Sequence, residues 1–247
     1  MKTMRQVKVP TQVKPLLRRV GRMAAARGMN AYAVGGCVRD WLLGIANAAD
    51  LDVTVEGSGV EVARTVARAL GGTLKIHQQF GTATVMLADP FHRRVDVATC
   101  RRESYVKPAA YPRVAPGTLE EDLLRRDFTM NAMALTLSPT RFGILVDPFD
   151  GAGDLRRKQL RVLHERSFID DPSRILRAVR FLLRFGLRLE PGTERALQTA
   201  MAAGALGWLN AGRLTRELDR MAREPEPLAC FQQLAALLAT VTKKDDG

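Results

Sequence analysis

Cysteine is scarce: Cys37, Cys100 and Cys230 are the three in a chain of 247 residues. They form no CxxC pair and stand near no histidine cluster, which argues against a disulfide framework and a structural zinc site. Long apolar runs are missing too. No stretch reaches the roughly 18 apolar residues of a membrane span, so none is expected. The N-terminal MKTMRQVKVPTQVKPLLRRV is basic but lacks the apolar segment of a signal peptide. A cytoplasmic protein, with no membrane partner, is the expectation that follows. Acidic residues are in deficit, 26 against 38 Lys and Arg, for a formal net charge of +12. That excess favours a polyanionic partner, either nucleic acid or an anionic surface. Neither an internal repeat nor a low-complexity segment is found.

What is present is ordinary globular material, 46% hydrophobic and 26% charged, long enough for one large domain or two modest ones. Before about residue 150, short β-branched runs alternate with glycines: AYAVGG, LDVTVEG, GGTLKI, TATVML, RRVDVAT and GILVDPF. Helical patterns lie between them at about 58–70 and 118–135. Strands interleaved with helices predict an α/β or α+β domain. Beyond 150 the strand signal stops, and ERALQTAMAAGAL and GRLTRELDRMARE read as helices. The tail, TKKDDG, is expected to fray.

DLDVTV, at 50–55, places two carboxylates around one leucine. On a strand, Leu51, Val53 and Val55 face one way while Asp50, Asp52 and Thr54 face the other. Carboxylates on one strand face lie about 7 Å apart and repel, and strands are depleted in Asp. A divalent cation would offset the cost. Asp96, in RRVDVAT, shares its face with Arg94 and Ala98, so pairing of the two strands would bring three carboxylates together. Oxygen donors without imidazole or thiolate suit Mg²⁺, which can activate an attacking oxygen and stabilise a leaving phosphate. A DxD by itself also occurs in ordinary loops.

VGGCVRDWLLG runs from a strand through Gly35 and Gly36 into a helix. Glycines at such a turn let backbone N–H groups approach phosphate, and Arg39 on the first turn can add a charge-assisted contact to a triphosphate. A tight turn beside a surface arginine is the plainer reading of a lone GG.

GGCVRDWLLG followed by DLDVTVEG, and then FGTATV, DVATCRRESY, EEDLLRRDFTMNAMAL, DPFDGAGDLRRKQLRVLH and SFIDDPSRILRAVRFLLRFG in that order, resembles the tRNA nucleotidyltransferase and poly(A) polymerase family, the class II branch of the polymerase β superfamily. The match runs over about residues 30–190 and continues weakly to about 222. It implies an α+β fold: a polymerase β-like head with a small mixed sheet (1–150), an all-helical, base-recognising neck (151–222) and a short C-terminal helical remnant (223–247) in place of the usual longer body and tail.

The resemblance implies that Asp50 and Asp52 hold catalytic Mg²⁺ and that Asp96 deprotonates or orients the primer 3′-hydroxyl. It places Gly35, Gly36 and Arg39 at the triphosphate and Arg126 and Asp127 at the nucleotide and ribose. Without it, Arg126 and Asp127 read as an ion pair at a helix start. In DDPSRILRAVRF, Asp170 or Asp171 can cap a helix with Pro172 in its first turn. Ile175, Leu176, Val179, Leu182 and Leu183 form its apolar stripe. Arg177, Arg180 and Arg184 fall within about 60° on another face, at ~100° per residue. A solvated basic face explains them; the family instead puts Arg177 and Arg180 near the nucleotide.

For Asp171 and Arg174 the family implies a protein template for the incoming base. Cytosine and adenine pair an exocyclic amino donor with a ring-nitrogen acceptor, complementary to a carboxylate and a guanidinium. Uracil turns a carbonyl toward the carboxylate and would be refused, by up to about 10⁴-fold in sites of this kind. Relatives often carry Glu-Asp where this chain has Asp170-Asp171. Residues 101–122, with three prolines, read as a loop without regular structure. They match the loop that in the family helps the switch from C to A addition, and CC-only enzymes tend to shorten it. DPFDGAGDL, with Asp147, Gly151 and Asp154, resembles the head-to-neck hinge. The expected activity is addition of CMP and/or AMP from CTP and ATP to the tRNA 3′ end. Poly(A) synthesis, an idle RNA-binding protein and a small-molecule nucleotidyltransferase are the competing readings.

Overall fold

A computed structural model of the chain describes residues 5–46, 50–89 and 93–242; the tail from residue 243, expected to fray, lies outside them. The chain divides into two compact units. The first comprises 1–103, 114–126 and 130–152, the second 104–113, 127–129 and 153–247.

The first unit contains α1 (Lys14–Ala25), β1 (Asn30–Val34), α2 (Gly36–Leu42), β2 (Asp50–Glu56), α3 (Gly59–Leu70), β3 (Thr73–His77), β4 (Thr82–Met86), β5 (Arg94–Thr99), all but the last residue of β6 (Arg101–Ser104), all but the first of β7 (Arg113–Pro116), α4 (Leu119–Leu124), β8 (Ala134–Thr136) and β9 (Leu145–Val146). Among the described residues, seven of these strands form one sheet in the order β3-β4-β5-β2-β1-β8-β9. Only β2 and β5 in it run parallel, and the helix a parallel crossover needs is α3. The architecture is mixed α+β, as expected.

Local chemistry sets the helices. Ser58 caps α3 by accepting from Glu61 N at 3.2 Å, and Gly71 closes it at φ 68°. Its face of Val62, Ala63, Val66 and Ala67 is buried, as are Leu17, Val20 and Ala24 of α1 and Leu51, Val53, Val55, Val95 and Val97 of the central strands. A Cβ on Gly21 would lie 1.9 Å from the Leu137 carbonyl oxygen, so α1 approaches the chain beyond β8 at a distance that glycine alone allows.

Two expectations fail here. The helix predicted over 118–135 stops at Leu124; after a single turn at Thr129–Asn131 the chain becomes β8. Met133, Ala134, Leu135 and Leu137 are buried on every side, and pairing with β1 overrides their helical preference. The proline-rich stretch is not structureless either, because β6 and β7 pair as a two-stranded ladder. Pro116 sits at the end of a strand of that small ladder, a position that tolerates a missing N–H.

The chain passes into the second unit within α5 (Gly151–Arg156) and continues through β10 (Gln159–Leu160), α6 (Ser167–Asp170), α7 (Ser173–Phe185), β11 (Arg188–Leu189), α8 (Pro191–Ala202), α9 (Ala211–Ala222) and α10 (Pro227–Thr242). Strands persist beyond 150 after all, as the two-residue parallel pair of β10 with β11. Leu176, Val179, Met221 and Cys230 form a buried core, flanked by Leu206, Leu214, Leu218 and Leu234. The stripe on α7 is rotated from its expected position. Leu183 is exposed and Phe181 buried, because the Phe181 ring meets Phe128 edge-on at 5.8 Å, and Phe128 in turn packs on Phe168 at 6.4 Å. No helix among the described residues is long and apolar enough to cross a membrane.

Candidate active site

The parallel register of β2 and β5 sets Asp52 directly opposite Asp96 and Asp50 opposite Arg94. The three carboxylates therefore share one face of the sheet, as the alternation predicts. They line an open cleft of about 350 Å³ through Asp52 and Asp96, together with Thr84, Arg94, Arg101, Arg125 and Arg126. The cleft is thus a carboxylate floor under a cationic rim, a charge pattern suited to a metal and a polyphosphate together.

Asp96 is already held. Its Oδ1 accepts from Thr84 Oγ1 at 2.6 Å and its Oδ2 pairs with Arg94 at 2.8 Å. Among the described residues no group of three or more His, Cys, Asp or Glu side chains is gathered as a metal cage. Asp52 lies among several charges. Desolvation raises its pKa above the ordinary value, Arg126 pulls it back, and Asp96 and Asp50 push it up again. The residue still exposes surface to solvent, so its carboxylate is recessed in the cleft rather than sealed.

The glycine turn explains how Arg126 reaches that carboxylate. Gly35 has φ 74° and ψ −134°, a conformation essentially restricted to glycine. A Cβ there would lie 2.8 Å from Arg126 Nη1 and 3.8 Å from Asp52 Oδ2. Arg126 pairs with the buried Asp122 at 3.0 Å, while its Nε is buried without an acceptor among the described residues. The neighbouring Arg125 also binds Asp122, at 2.9 Å. Arg39 differs from its expected position at a phosphate. It is buried, with Nε and Nη2 on Asp40 Oδ1 at 2.9 and 2.7 Å and Nη1 on Asn131 at 2.7 Å, so it braces α2 from beneath the turn. Cys37, next to Gly36, is an inert thiol: burial first, then Asp52, pushes its pKa up to about 12.

In the second unit Asp171 precedes α7. Its Oδ1 accepts from Ser173 N at 3.0 Å, from Ser173 Oγ at 2.5 Å and from Arg213. Arg174 is buried and donates from Nη1 to Ser167 Oγ at 2.6 Å. The expected solvated basic face of α7 is instead paired. Arg177 meets Asp127 at 2.5 Å, Arg180 meets Glu217 at 3.2 Å and Glu224 at 2.8 Å, and Arg184 meets Glu224 at 3.8 Å. Arg180, expected near the nucleotide, therefore ties α7 to α9 and the turn after it. The alternative reading of Arg126 and Asp127 as partners of each other also fails, since Arg126 takes Asp122 and Asp127 takes Arg177. Sequence reasoning missed Asp122, Thr84, Ser167, Ser173 and Arg213. Of these Asp122, an acid four residues before Arg126, carried an i,i+4 signal.

A mixed sheet here presents paired carboxylates and a glycine turn beside an arginine-rimmed cleft. The chain belongs to the poly A polymerase head domain family, whose pattern its residues 31–161 match. Among its relatives, the A-adding tRNA nucleotidyltransferase of Halalkalibacterium halodurans is 43% identical over 224 residues, 90% of this chain and 52% of that protein. An apo CCA-adding enzyme structure superposes with a TM-score of 0.89 at 42% identity, covering 98% of this chain and 57% of its own. The Thermotoga maritima CCA-adding enzyme complexed with tRNA gives 0.83 at 40% identity, covering 98% and 56%. The chain thus spans about half the length of these three relatives.

Proposed function

We propose that this chain transfers CMP and/or AMP from CTP and ATP to the 3′ end of tRNA without a nucleic-acid template, completing CCA or adding its terminal A. The observation that carries the reading is the register of Asp52 with Asp96, with Asp50 beside them on the same face. The relatives' names supply the substrate class.

The donor set fits a hard divalent cation: Asp50 and Asp52 crowd like charge on one strand face, and an oxygen-seeking cation would relieve it. These two residues would hold Mg²⁺, which when bound supplies activation of the attacking oxygen and neutralisation of the leaving pyrophosphate. Thr84 and Arg94 fix the rotamer of Asp96, which orients the primer 3′-hydroxyl and accepts its proton. The 3′-oxygen bonds to the α-phosphorus in line as the bond to the β-phosphate oxygen breaks, and pyrophosphate leaves with that electron pair. Gly35 and Gly36 let the backbone approach the triphosphate, Arg126 adds charge there, and Arg39 keeps the turn in place. Asp127 serves the ribose end with its partner Arg177 behind it. Asp171 and Arg174 read the base, accepting an exocyclic amine and donating to a ring nitrogen.

The test offers purified protein and Mg²⁺ with tRNA transcripts ending before CCA, after C and after CC. CTP, ATP, UTP and GTP are supplied singly, then CTP with ATP, and the ends are sequenced. Completion to CCA, or a single A on CC ends, with UTP refused, supports the reading. Long A tails would make the chain a poly(A) polymerase, and transfer to a small acceptor alone a small-molecule enzyme. Tight tRNA binding without extension would make it an RNA-binding protein. Asp52→Asn must abolish transfer while leaving RNA affinity intact.

A further inference from the structure

The first turn of α9 carries an arginine where helix starts favour acid. Asn210 caps the helix, its Oδ1 accepting from Arg213 N at 2.9 Å, and no acidic residue occupies that turn. A cation at this position opposes the helix dipole. Arg213 has three partners that explain its placement. Its Nη2 pairs with Asp171 Oδ1, its Nη1 donates to the Ala109 carbonyl at 3.0 Å, and its guanidinium lies 5.7 Å from the Tyr111 ring centre. Ala109 is held at φ 56°, a left-handed conformation uncommon for alanine, and its N–H donates to the Ile169 carbonyl at 3.3 Å. One side chain therefore links a strained loop residue to the carboxylate before α7.

The distribution of donors on Asp171 is unequal. Oδ1 receives all three, Ser173 N, Ser173 Oγ and Arg213, and Oδ2 receives none among the described residues. Three donors on one oxygen set the plane of the carboxylate and leave its other oxygen as the acceptor on offer. We propose that Arg213 is a specificity-determining positioning residue: it locks Asp171 so that Oδ2 alone faces the incoming base, and it ties that orientation to residues 109–111. The inference rests on the base-reading role given to Asp171 above. A locked acceptor rewards an amine and penalises a carbonyl, whereas a carboxylate free to rotate can turn toward other donors and tolerate either.

Equilibrium binding of CTP, ATP and UTP to the full chain tests this without requiring transfer. The wild type should bind CTP and ATP well above UTP. Arg213→Met, which keeps the aliphatic stem, should lower the CTP-to-UTP ratio roughly 10- to 100-fold, the range expected for loss of a charge-assisted bond. Arg213→Lys should restore part of it. Ser173→Ala, which removes a second Oδ1 donor, should shift the ratio the same way by less. Amide exchange over 104–113 should quicken in Arg213→Met. An unchanged ratio in Arg213→Met, an equal loss for all three nucleotides, or a wild type without preference would each overturn the proposal. A wild type that binds selectively but extends no RNA would overturn the transfer reaction and leave this inference standing.

Discussion

Replacing Gly35 with alanine joins the backbone geometry of the turn to the electrostatics of the cleft. Two costs arise at that position. The backbone there, at φ 74° and ψ −134°, costs an L-residue about 1–3 kcal/mol. The new Cβ would also stand 2.8 Å from Arg126 Nη1, so the guanidinium must move away from Asp52 or the turn must open, an overpacking term of about 1–3 kcal/mol. Together the loss of stability is about 2–6 kcal/mol. Gly28→Ala is the control: φ is 68° but a Cβ there meets nothing within 4 Å, so the cost is about 1–2 kcal/mol of backbone strain alone. Urea unfolding of both variants gives the comparison, and Gly35→Ala combined with Arg126→Ala isolates the steric part, because removing the guanidinium should recover about 1 kcal/mol or more of it. Nucleotidyl transfer should fall about 10²-fold or more in Gly35→Ala, as when one preorganised charge is lost from a phosphate site. A Gly35→Ala protein as stable as Gly28→Ala and fully active would refute the link between this turn and Arg126.

Three further outcomes follow from the ion pairs. Arg94 stands in register with Asp50 and pairs with Asp96 while half exposed, so Arg94→Gln should tighten Mg²⁺ binding measured by calorimetry about two- to fivefold; unchanged or weaker binding would contradict its competition with the cation. Asp154 is buried and accepts from Thr129 Oγ1 at 2.7 Å, Arg157 at 2.7 Å and Arg161 at 2.8 Å; Asp154→Asn should cost about 3–5 kcal/mol in denaturant unfolding, and a loss below about 1 kcal/mol would show the network to be dispensable. Burial pushes the Asp122 carboxyl up, but Arg125 and then Arg126 outweigh it and hold its pKa below the ordinary value. A depressed carboxyl contributes stability that is complete above its unfolded pKa of 3.8 and is lost as pH falls through the folded value. Asp122→Asn should therefore be less stable at neutral pH and show a shallower acid limb by circular dichroism, whereas parallel curves would exclude Asp122 as a source of that limb.

Local pattern alone determined much of this protein. Two-residue alternation in DLDVTV and RRVDVAT assigned the carboxylates to one face, because a strand's side-chain period does not depend on what surrounds it. Glycine at 35 and the helices α3, α8 and α9 were equally legible, since their signals lie within a few residues of the structure they produce. Wherever a residue's role depends on a distant partner, tertiary structure decided. The apolar run after Leu124 looks helical until β1 recruits it as a strand, and Leu183 loses its place in the core because Phe181 turns toward Phe128. Arg39, Arg177 and Arg180 read as free cations in sequence, yet the fold hands each a buried carboxylate or amide partner. Arg213 shows the limit most clearly: it lies 42 residues from Asp171, and no periodicity joins them. Only the packed chain brings its guanidinium to one oxygen of that carboxylate and leaves the other open.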